Sequence, residues 1–272
     1  MKKIYRLLTK KFSFYLILGL SKLLSIFNFK IIPSYSEIKN YNFRYSKYTR
    51  RLIHEPSEKI FSKLIVDTSH YNSLLCKSGA NYGTNKSPLN IIGHRSGYTP
   101  YYDLLFRHLK NEKINFAEIG IENNASTKMW RKYFSKAKIY GFEFEDIKIK
   151  KAKKHKLKNT VYHKIDVSNQ NNIQKTFSKI NKKFDIIIDD STHIFDHQIN
   201  IIKKVHPFIK KNGILIIEDI YKNRKENLEE NYYKKIKNLN YIFEKIYFVE
   251  FHNINNYTAN WKNEKLLILI KK

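Results

Sequence analysis

The feature that most constrains the fold of this 272-residue chain is an alternation of short apolar runs and longer charged segments, which begins at Asn115. Such an alternation is typical of repeated βα units, in which strands form a parallel sheet and helices cover it. Two of the runs, Phe184–Asp189 and residues 213–218, are apolar almost to their ends, as strands buried on both faces require. The sequence therefore predicts an α/β fold with a mostly parallel, seven-stranded sheet and helices on both faces.

The pattern also gives the bounds of the elements. The predicted strands span residues 115–119, 138–144, 160–165, 184–189, 213–218, 241–251 and 265–270. The predicted helices span residues 125–134, 147–157, 170–180 and 195–209. We expect three regions: an N-terminal helical extension at 1–40, a helical lead-in at 41–110 and the main domain at 111–272.

The N-terminal extension is cationic up to Lys11 and then largely apolar over residues 12–29. Such a segment fits a signal peptide, a membrane-spanning helix or a helix lying in the membrane interface. We favour the interfacial helix, because a single span with these basic residues inside would send the domain out of the cytoplasm. Packing of this helix on the domain or on a second subunit stays open. We expect a cytoplasmic protein, with the membrane surface and a second copy as open partners.

The composition gives a formal net charge of +28, which favours binding to polyanions in general. Lysine is spread along the chain together with isoleucine and asparagine, however, and does not form a basic motif. We therefore do not expect a nucleic-acid partner. The single cysteine, Cys76, excludes an internal disulfide, and we expect it to be a core residue.

Polar residues follow the first three strands of the main domain, at the sheet edge where open α/β folds bind ligands. Gly120, after Glu118, would let a cofactor approach the backbone, and Asn124 is suited to a left-handed turn. Glu143 ends the second strand, where a ribose diol finds its acceptor, and Asp166 follows the third. Each could also be an ordinary solvated strand end, but their order favours a nucleotide-type cofactor.

The next two strands end in a concentration of acidic residues. Asp189, Asp190 and His193 follow the fourth strand, and Glu218 and Asp219 follow the fifth. If these strands are neighbours, their carboxylates meet and repel unless a cation is present, and oxygen ligands select a hard ion such as Mg²⁺. His193 would then be a base suited to taking a proton from an alcohol.

A simpler interpretation of the first acidic segment is helix capping. Asp190, Ser191 or Thr192 would cap the helix that begins near Phe195. Capping would account for one of these residues, but not for acidic pairs at two successive strand ends.

Four segments together resemble a known family, the metal-dependent sugar O-methyltransferases of macrolide tailoring. The likeness covers about half of the chain, and its most specific parts are the Gly-Thr-Asn-Lys and Asp-Asp-x-x-His blocks. The chain departs from the family at Asn85, where the family usually has Asp, and near Asn124, where a second glycine is missing. The resembling segments are residues 82–86 with His94 and 97–102; 118–120 with Ser126 and 129–134; 188–193; and 217–219.

The resemblance implies a Rossmann-like class I methyltransferase that uses S-adenosylmethionine and Mg²⁺ to methylate a sugar hydroxyl of a glycan, glycolipid or glycosylated natural product. It implies that Asp190, Glu218 and Asp219 hold the metal and that His193 is the general base. The implied cofactor-binding residues are Glu118, Gly120, Glu143, Asp166 and Asp189. Two alternatives stay open: an RNA methyltransferase, favoured by the charge, and a non-catalytic, membrane-associated protein of the same fold.

Overall fold

The computed structural model describes residues 61–69, 71–90, 95–222, 224–252 and 265–272. Residues 1–60 lie outside the described residues, so the predictions for the N-terminal extension and residues 12–29 do too. His94 also lies outside them. Along the part of the chain that is described, no helix combines the length and apolarity needed to cross a membrane.

Strands and α-helices alternate along the described chain from Asn115 to His252. The strands are β1 (Phe61–Asp67), β2 (Asn115–Ile119), β3 (Lys138–Glu143), β4 (Thr160–Lys164), β5 (Phe184–Asp189), β6 (Ile209–Ile217), β7 (Phe243–His252) and β8 (Lys265–Lys271). The α-helices are α1 (Leu74–Tyr82), α2 (Tyr98–Phe106), α3 (Ala125–Tyr133), α4 (Asp146–Lys154), α5 (Gln170–Ile180), α6 (Phe195–Val205) and α7 (Glu229–Ile236). The seven predicted strands and four predicted helices are confirmed, with shifts at their ends.

All eight strands form one sheet in the order β1-β7-β8-β6-β5-β2-β3-β4. Only β8 runs antiparallel to its neighbours, β6 and β7. Along the chain β2 is followed outward by β3 and β4, and the chain then returns to place β5 on the other side of β2. This reversal opens a crevice above the carboxyl ends of β2 and β5, which is where ligands bind in such sheets.

Both faces of the sheet are covered, as the unbroken apolar strands predicted. In β5, Ile187 packs into the core that includes α5, α6 and α7, whereas Ile186 and Ile188 pack into the core of α1, α2 and α3. Successive residues of a strand point to opposite faces, so a strand between two helical layers must be apolar throughout. Cys76 is a fully buried free thiol, as expected of a core residue.

The structure corrects two details of the prediction. The sheet has eight strands among the described residues instead of seven, because the lead-in at 41–110 contributes β1 as well as helices. The strand β1 lies parallel to β7, with Phe61 opposite Ile246 and Asp67 opposite His252. In addition, α6 ends at Val205 and β6 already begins at Ile209, so the predicted helix is too long at its end.

Candidate active site

The tips of β5 and β6 meet at the carboxyl edge of the sheet. Asp189 lies opposite Ile217 on β6 and opposite Ile119 on β2. The backbone N–H of Asp190 donates to the carbonyl of Ile119 at 2.8 Å, and that of Glu218 donates to the carbonyl of Asp189 at 2.9 Å. These bonds bring the two acidic strand ends side by side, which confirms the predicted meeting of the strand tips.

A lysine from outside the main domain joins these carboxylates. The Lys86 Nζ donates to Asp190 Oδ2 at 2.6 Å and makes a short bond to Glu218 Oε2. The lysine lies in the loop after α1, and only 1% of it is exposed. No role was predicted for Lys86 from the sequence, although it belongs to one of the blocks that carry the resemblance.

Two tyrosines of α2 complete the hydrogen bonds of the second acidic pair. The Tyr98 hydroxyl donates to Asp219 Oδ1 at 2.6 Å, and the Tyr102 hydroxyl donates to Glu218 Oε1 at 2.7 Å. Residues four apart lie on one face of a helix, so a single helix presents both donors. Both carboxylate oxygens of Glu218 are thus engaged, one by Lys86 and one by Tyr102.

The imidazole of His193 faces the remaining carboxylate oxygens. Its Nε2 lies 3.6 Å from Asp219 Oδ2 and 3.9 Å from Asp190 Oδ1. One ligand atom from each of these three residues falls within 4.8 Å of the others, so the group could hold a metal ion. His193 and Asp219 both have left-handed backbone, with φ of 57° and 54°. Non-glycine residues held in this region cost free energy and concentrate at functional sites.

Burial shifts the pKa values of the charged groups in this centre. Burial raises the pKa of Glu218 well above its usual range, although Lys86 opposes the shift. Burial also raises the pKa of Asp219, against the effect of His193. For Lys86, burial would lower the pKa, but the carboxylates of Asp190 and Glu218 outweigh it and raise the pKa. An added cation would therefore relieve repulsion among the carboxylates.

The capping interpretation of this segment is wrong. The N-cap residue of α6 is Ile194, and no side chain caps the helix there. Instead, the Ser191 hydroxyl donates to Asp189 Oδ1 at 2.6 Å, and the Thr192 hydroxyl lies 2.9 Å from His197 Nδ1.

A cavity of about 750 Å³ opens beside this centre, above the carboxyl ends of β2, β3 and β5. Three of the residues predicted to bind the cofactor line it, namely Gly120, Glu143 and Asp166. Glu118 and Asp189 are not among its lining residues. The Glu118 carboxylate accepts bonds from Thr127 at 2.8 Å and Trp130 at 3.0 Å, behind the cavity wall. The lining also includes Thr84, Asn85, Asn90, Ser126, Lys148, Asp190, His193 and Asp219.

The loop after β2 approaches the loop after β5 closely at Gly120. The expected approach of a cofactor to this backbone stays a prediction. Gly120 has φ of 89°, and a Cβ there would lie 2.1 Å from the carbonyl oxygen of Asp190. Asn124 takes the predicted left-handed conformation, with φ of 68°. Glu143 accepts from the backbone N–H of Glu122 at 3.1 Å, so this carboxylate fixes the loop from the neighbouring strand.

Solved structures with the same architecture define the fold class. The MycE methyltransferase of the mycinamycin pathway, in complex with Mg, SAH and mycinamycin VI, superimposes with a TM-score of 0.56. The match covers 75% of this chain and 55% of that chain at 20% identity, so it shows the Rossmann-like methyltransferase fold. A family model described as a methyltransferase domain matches residues 122–267. The chain belongs to this methyltransferase-domain family.

Curated relatives are O-methyltransferases by name. Demethylmacrocin O-methyltransferase of Streptomyces fradiae is 29% identical over 131 residues, which are 46% of this chain and 32% of that protein. Mycinamicin VI 2''-O-methyltransferase of Micromonospora griseorubida is 27% identical over 140 residues, 48% of this chain and 33% of that protein. The match thus spans about a third of the length of these relatives.

Proposed function

We propose that the chain is an S-adenosylmethionine-dependent O-methyltransferase that uses Mg²⁺ and acts on a sugar hydroxyl. The observation that carries this proposal is the pairing of an acidic centre and an imidazole with a cavity at the switch point of the sheet. The named functions of the relatives support the same chemistry.

The cavity fits the cofactor in size and in the chemistry of its walls. The backbone of Gly120 lines the cavity, and the Glu143 carboxylate would accept from a ribose diol there. Asp166, at the end of β4, would lie at the adenine. Contacts of Glu118 and Asp189 with the cofactor stay predictions. Glu118 and Asp189 would affect cofactor binding by holding neighbouring residues in place, because their carboxylates accept bonds from Thr127 and Ser191.

The acidic centre fits a hard divalent cation. Asp190 and Asp219 would hold the ion beside His193, and the aspartate oxygens are of the type that Mg²⁺ prefers. Glu218, the third predicted ligand, lies against the same centre with both oxygens hydrogen-bonded. When bound, the ion would supply Lewis-acid activation of the acceptor hydroxyl.

His193 would take the proton of the acceptor. S-adenosylmethionine would supply the methyl group to the hydroxyl oxygen, and the Nε2 of His193 would take the proton that this oxygen loses. The carboxylates of Asp190 and Asp219, 3.9 Å and 3.6 Å away, would stabilise the imidazolium that results. The demethylated cofactor would then be a neutral thioether, and the positive charge of the sulfonium would have passed to the imidazolium.

The acceptor would be a sugar carried by a glycan, a glycolipid or a glycosylated natural product. An acceptor in a membrane would be consistent with the apolar residues 12–29 and a cytoplasmic enzyme at the membrane surface. Self-association stays a prediction as well.

The decisive experiment is titration calorimetry of the full chain with S-adenosylmethionine, with and without Mg²⁺, followed by methyl transfer from labelled cofactor to glycan extracts. We expect cofactor binding and a labelled sugar whose mass rises by one CH₂. Absence of cofactor binding would refute the proposal.

The net charge of +28 favours a second candidate, an RNA methyltransferase. That function requires tight RNA binding with a steep dependence on salt, because each phosphate contact releases counterions. Filter binding between low and physiological salt separates the two. We expect only weak binding that disappears near physiological salt, whereas tight binding there with methyl transfer to RNA would favour the alternative.

A further inference from the structure

Lys86 contacts the acidic centre directly, and neither the predicted cofactor site nor the predicted metal site includes it. Its ammonium is buried with only 1% exposed and contacts Asp190 and Glu218 at the same time. Lysine is almost never fully buried unless it is paired, so this position is a specific requirement of the centre.

The lysine is held from both sides by the segment that precedes the main domain. Its backbone N–H donates to the Thr84 hydroxyl at 3.3 Å, and its carbonyl accepts from the backbone N–H of Thr99 on α2 at 3.0 Å. These two bonds fix the backbone of Lys86. The ammonium is therefore held at one position, unlike that of a flexible surface lysine.

The formal charges of the centre suggest why a second cation is present. Asp190, Glu218 and Asp219 bring three negative charges, and a divalent ion leaves one of them uncompensated. The charge of Lys86 closes this difference. Lys86 donates to Oδ2 of Asp190, whereas Oδ1 of the same carboxylate faces His193. One oxygen of Asp190 therefore pairs with the lysine, and the other would be available to the metal ion.

We propose that Lys86 is a positioning residue that acts as the permanent cation of the acidic centre and shares its three carboxylates with the divalent ion. The proposal rests on the proposed function, since it assigns the lysine a role toward the metal. Lys86 occupies the space between Asp190 and Glu218, neutralises the charge that the ion leaves, and so keeps the ion on the His193 side of the centre.

The test is the affinity of the full chain for Mn²⁺, measured by calorimetry for Lys86→Met. A positive charge a few ångströms from a cation site opposes binding, so we expect Mn²⁺ affinity to rise about tenfold or more. Methyl transfer should fall at least about a hundredfold, because the ion could then take the place of the ammonium between Asp190 and Glu218, away from His193. The matched control is Lys210→Met, which removes a lysine paired with Asp185 at the opposite end of the strands and should leave Mn²⁺ affinity unchanged.

A lysine that only packs the site would give the opposite result. Its loss would disorder the carboxylates and weaken Mn²⁺ binding, and weaker or unchanged affinity in Lys86→Met overturns the proposal. If the wild-type chain binds no Mn²⁺, the proposed metal site fails together with this proposal. If the wild type binds Mn²⁺ and Lys86→Met binds it no more tightly, this proposal fails alone.

A stability cycle decides the case in which Lys86→Met folds poorly. Removing one partner of a buried ion pair should lower Tm on the order of 10 °C. The double variant Lys86→Met/Glu218→Gln removes one of the two carboxylates that lose their partner and should recover about half of the loss. Additive losses in the double variant would overturn the pairing on which the proposal depends.

Discussion

Gly120 is the residue at which the site tolerates the least change. It combines a left-handed backbone with the absence of space for a Cβ, which would lie 2.1 Å from the Asp190 carbonyl. We expect Gly120→Ala to lower the free energy of unfolding by about 3 kcal/mol or more and to abolish cofactor binding. Urea denaturation and calorimetry measure the two effects.

Gly83 provides a matched control for this substitution. It also has left-handed backbone, with φ of 75°, but nothing lies within 4 Å of a Cβ there. Gly83→Ala should therefore lose only about 1–2 kcal/mol, the strain of the backbone alone. Equal losses in the two variants would contradict the close approach of the Gly120 and Asp190 loops.

His193 is the residue on which the proposed proton transfer depends. We expect His193→Ala to lower kcat by about 10²–10⁴ while leaving the Kd for S-adenosylmethionine unchanged, since general-base catalysis contributes about this much. Single-turnover kinetics with labelled cofactor measure the loss. His108→Ala, which changes an exposed histidine outside the cavity, serves as the control. A His193→Ala variant with full turnover would exclude this residue as the base.

At the scale of single residues, the sequence predicted the carboxylates of the centre more completely than it predicted their partners. Asp190, His193 and Asp219 could be placed together because the ends of parallel strands share one sheet edge. Lys86 could not, because its loop lies 104 residues before Asp190 and reaches the centre only through tertiary packing. Glu118 was expected to contact the cofactor. Its position in the strand predicts which face of the sheet the side chain lies on, but not what it contacts there, and its carboxylate accepts bonds from Thr127 and Trp130 of α3.

Among the elements, α2 is the helix that links the lead-in to the chemistry. We expect Tyr98→Phe to lower the free energy of unfolding by about 1–3 kcal/mol, because Asp219 loses the donor of a buried hydrogen bond. Metal affinity should change as well, since Asp219 is a proposed ligand. Thermal unfolding and Mn²⁺ titration measure these effects.

Tyr101→Phe is the control for this helix. Tyr101 lies on α2 too, but its ring packs on Phe251 at 5.1 Å, away from the acidic pair. This variant should keep Mn²⁺ affinity at the wild-type value. If Tyr98→Phe and Tyr101→Phe give the same thermal stability and the same Mn²⁺ affinity, α2 only packs beside the centre and its Tyr98 hydroxyl does not position Asp219.

The edge strand β1 depends on ion pairs as well as on its backbone bonds to β7. The Lys63 Nζ lies 2.7 Å from Glu250 Oε1 on β7, and Lys222 lies 3.7 Å from the other oxygen. Burial would raise the pKa of Glu250, but Lys222 and Lys63 outweigh it and lower the pKa to about 2. A lowered carboxyl pKa stabilises the fold above the unfolded pKa, near 4.5, and this stability is lost as pH falls toward 2.

We therefore expect Glu250→Gln to destabilise the fold at pH 7, by no more than about 3 kcal/mol. The difference from wild type should shrink between pH 4.5 and pH 2, because the native glutamate then becomes protonated as well. Urea denaturation at several pH values measures it. A difference independent of pH would mean that Glu250 acts through packing and not through its charge.

At the scale of elements, local patterns predicted the strands of the main domain but missed β1. Its neighbour in the sheet, β7, begins at Phe243, about 180 residues further along the chain, so no local pattern reveals the pairing. The end of α6 was missed for a different reason. The segment Ile209–Ile217 continues directly from a short 3₁₀ turn at His206–Phe208, and an apolar residue at this junction fits either a helix or a strand.

At the scale of the whole molecule, the layered α/β architecture follows directly from the sequence. Continuous apolar strands require two helical layers, and the order of the strands then fixes where a ligand crevice must open. The net charge of +28 predicts neither the fold nor the site, because the basic residues are spread over the chain and the centre itself is acidic. The acidic centre thus concentrates negative charge within a chain of positive net charge, which would favour capture of a cation at this position.

The most direct test of this account is a crystal of the full chain grown with Mn²⁺ and S-adenosylhomocysteine, with anomalous scattering recorded for manganese. The account predicts one manganese peak bonded to Asp190 and Asp219 at about 2.1–2.2 Å, beside His193, with the nucleoside in the cavity at Glu143. A manganese peak elsewhere, or a nucleoside bound outside this cavity, would contradict it.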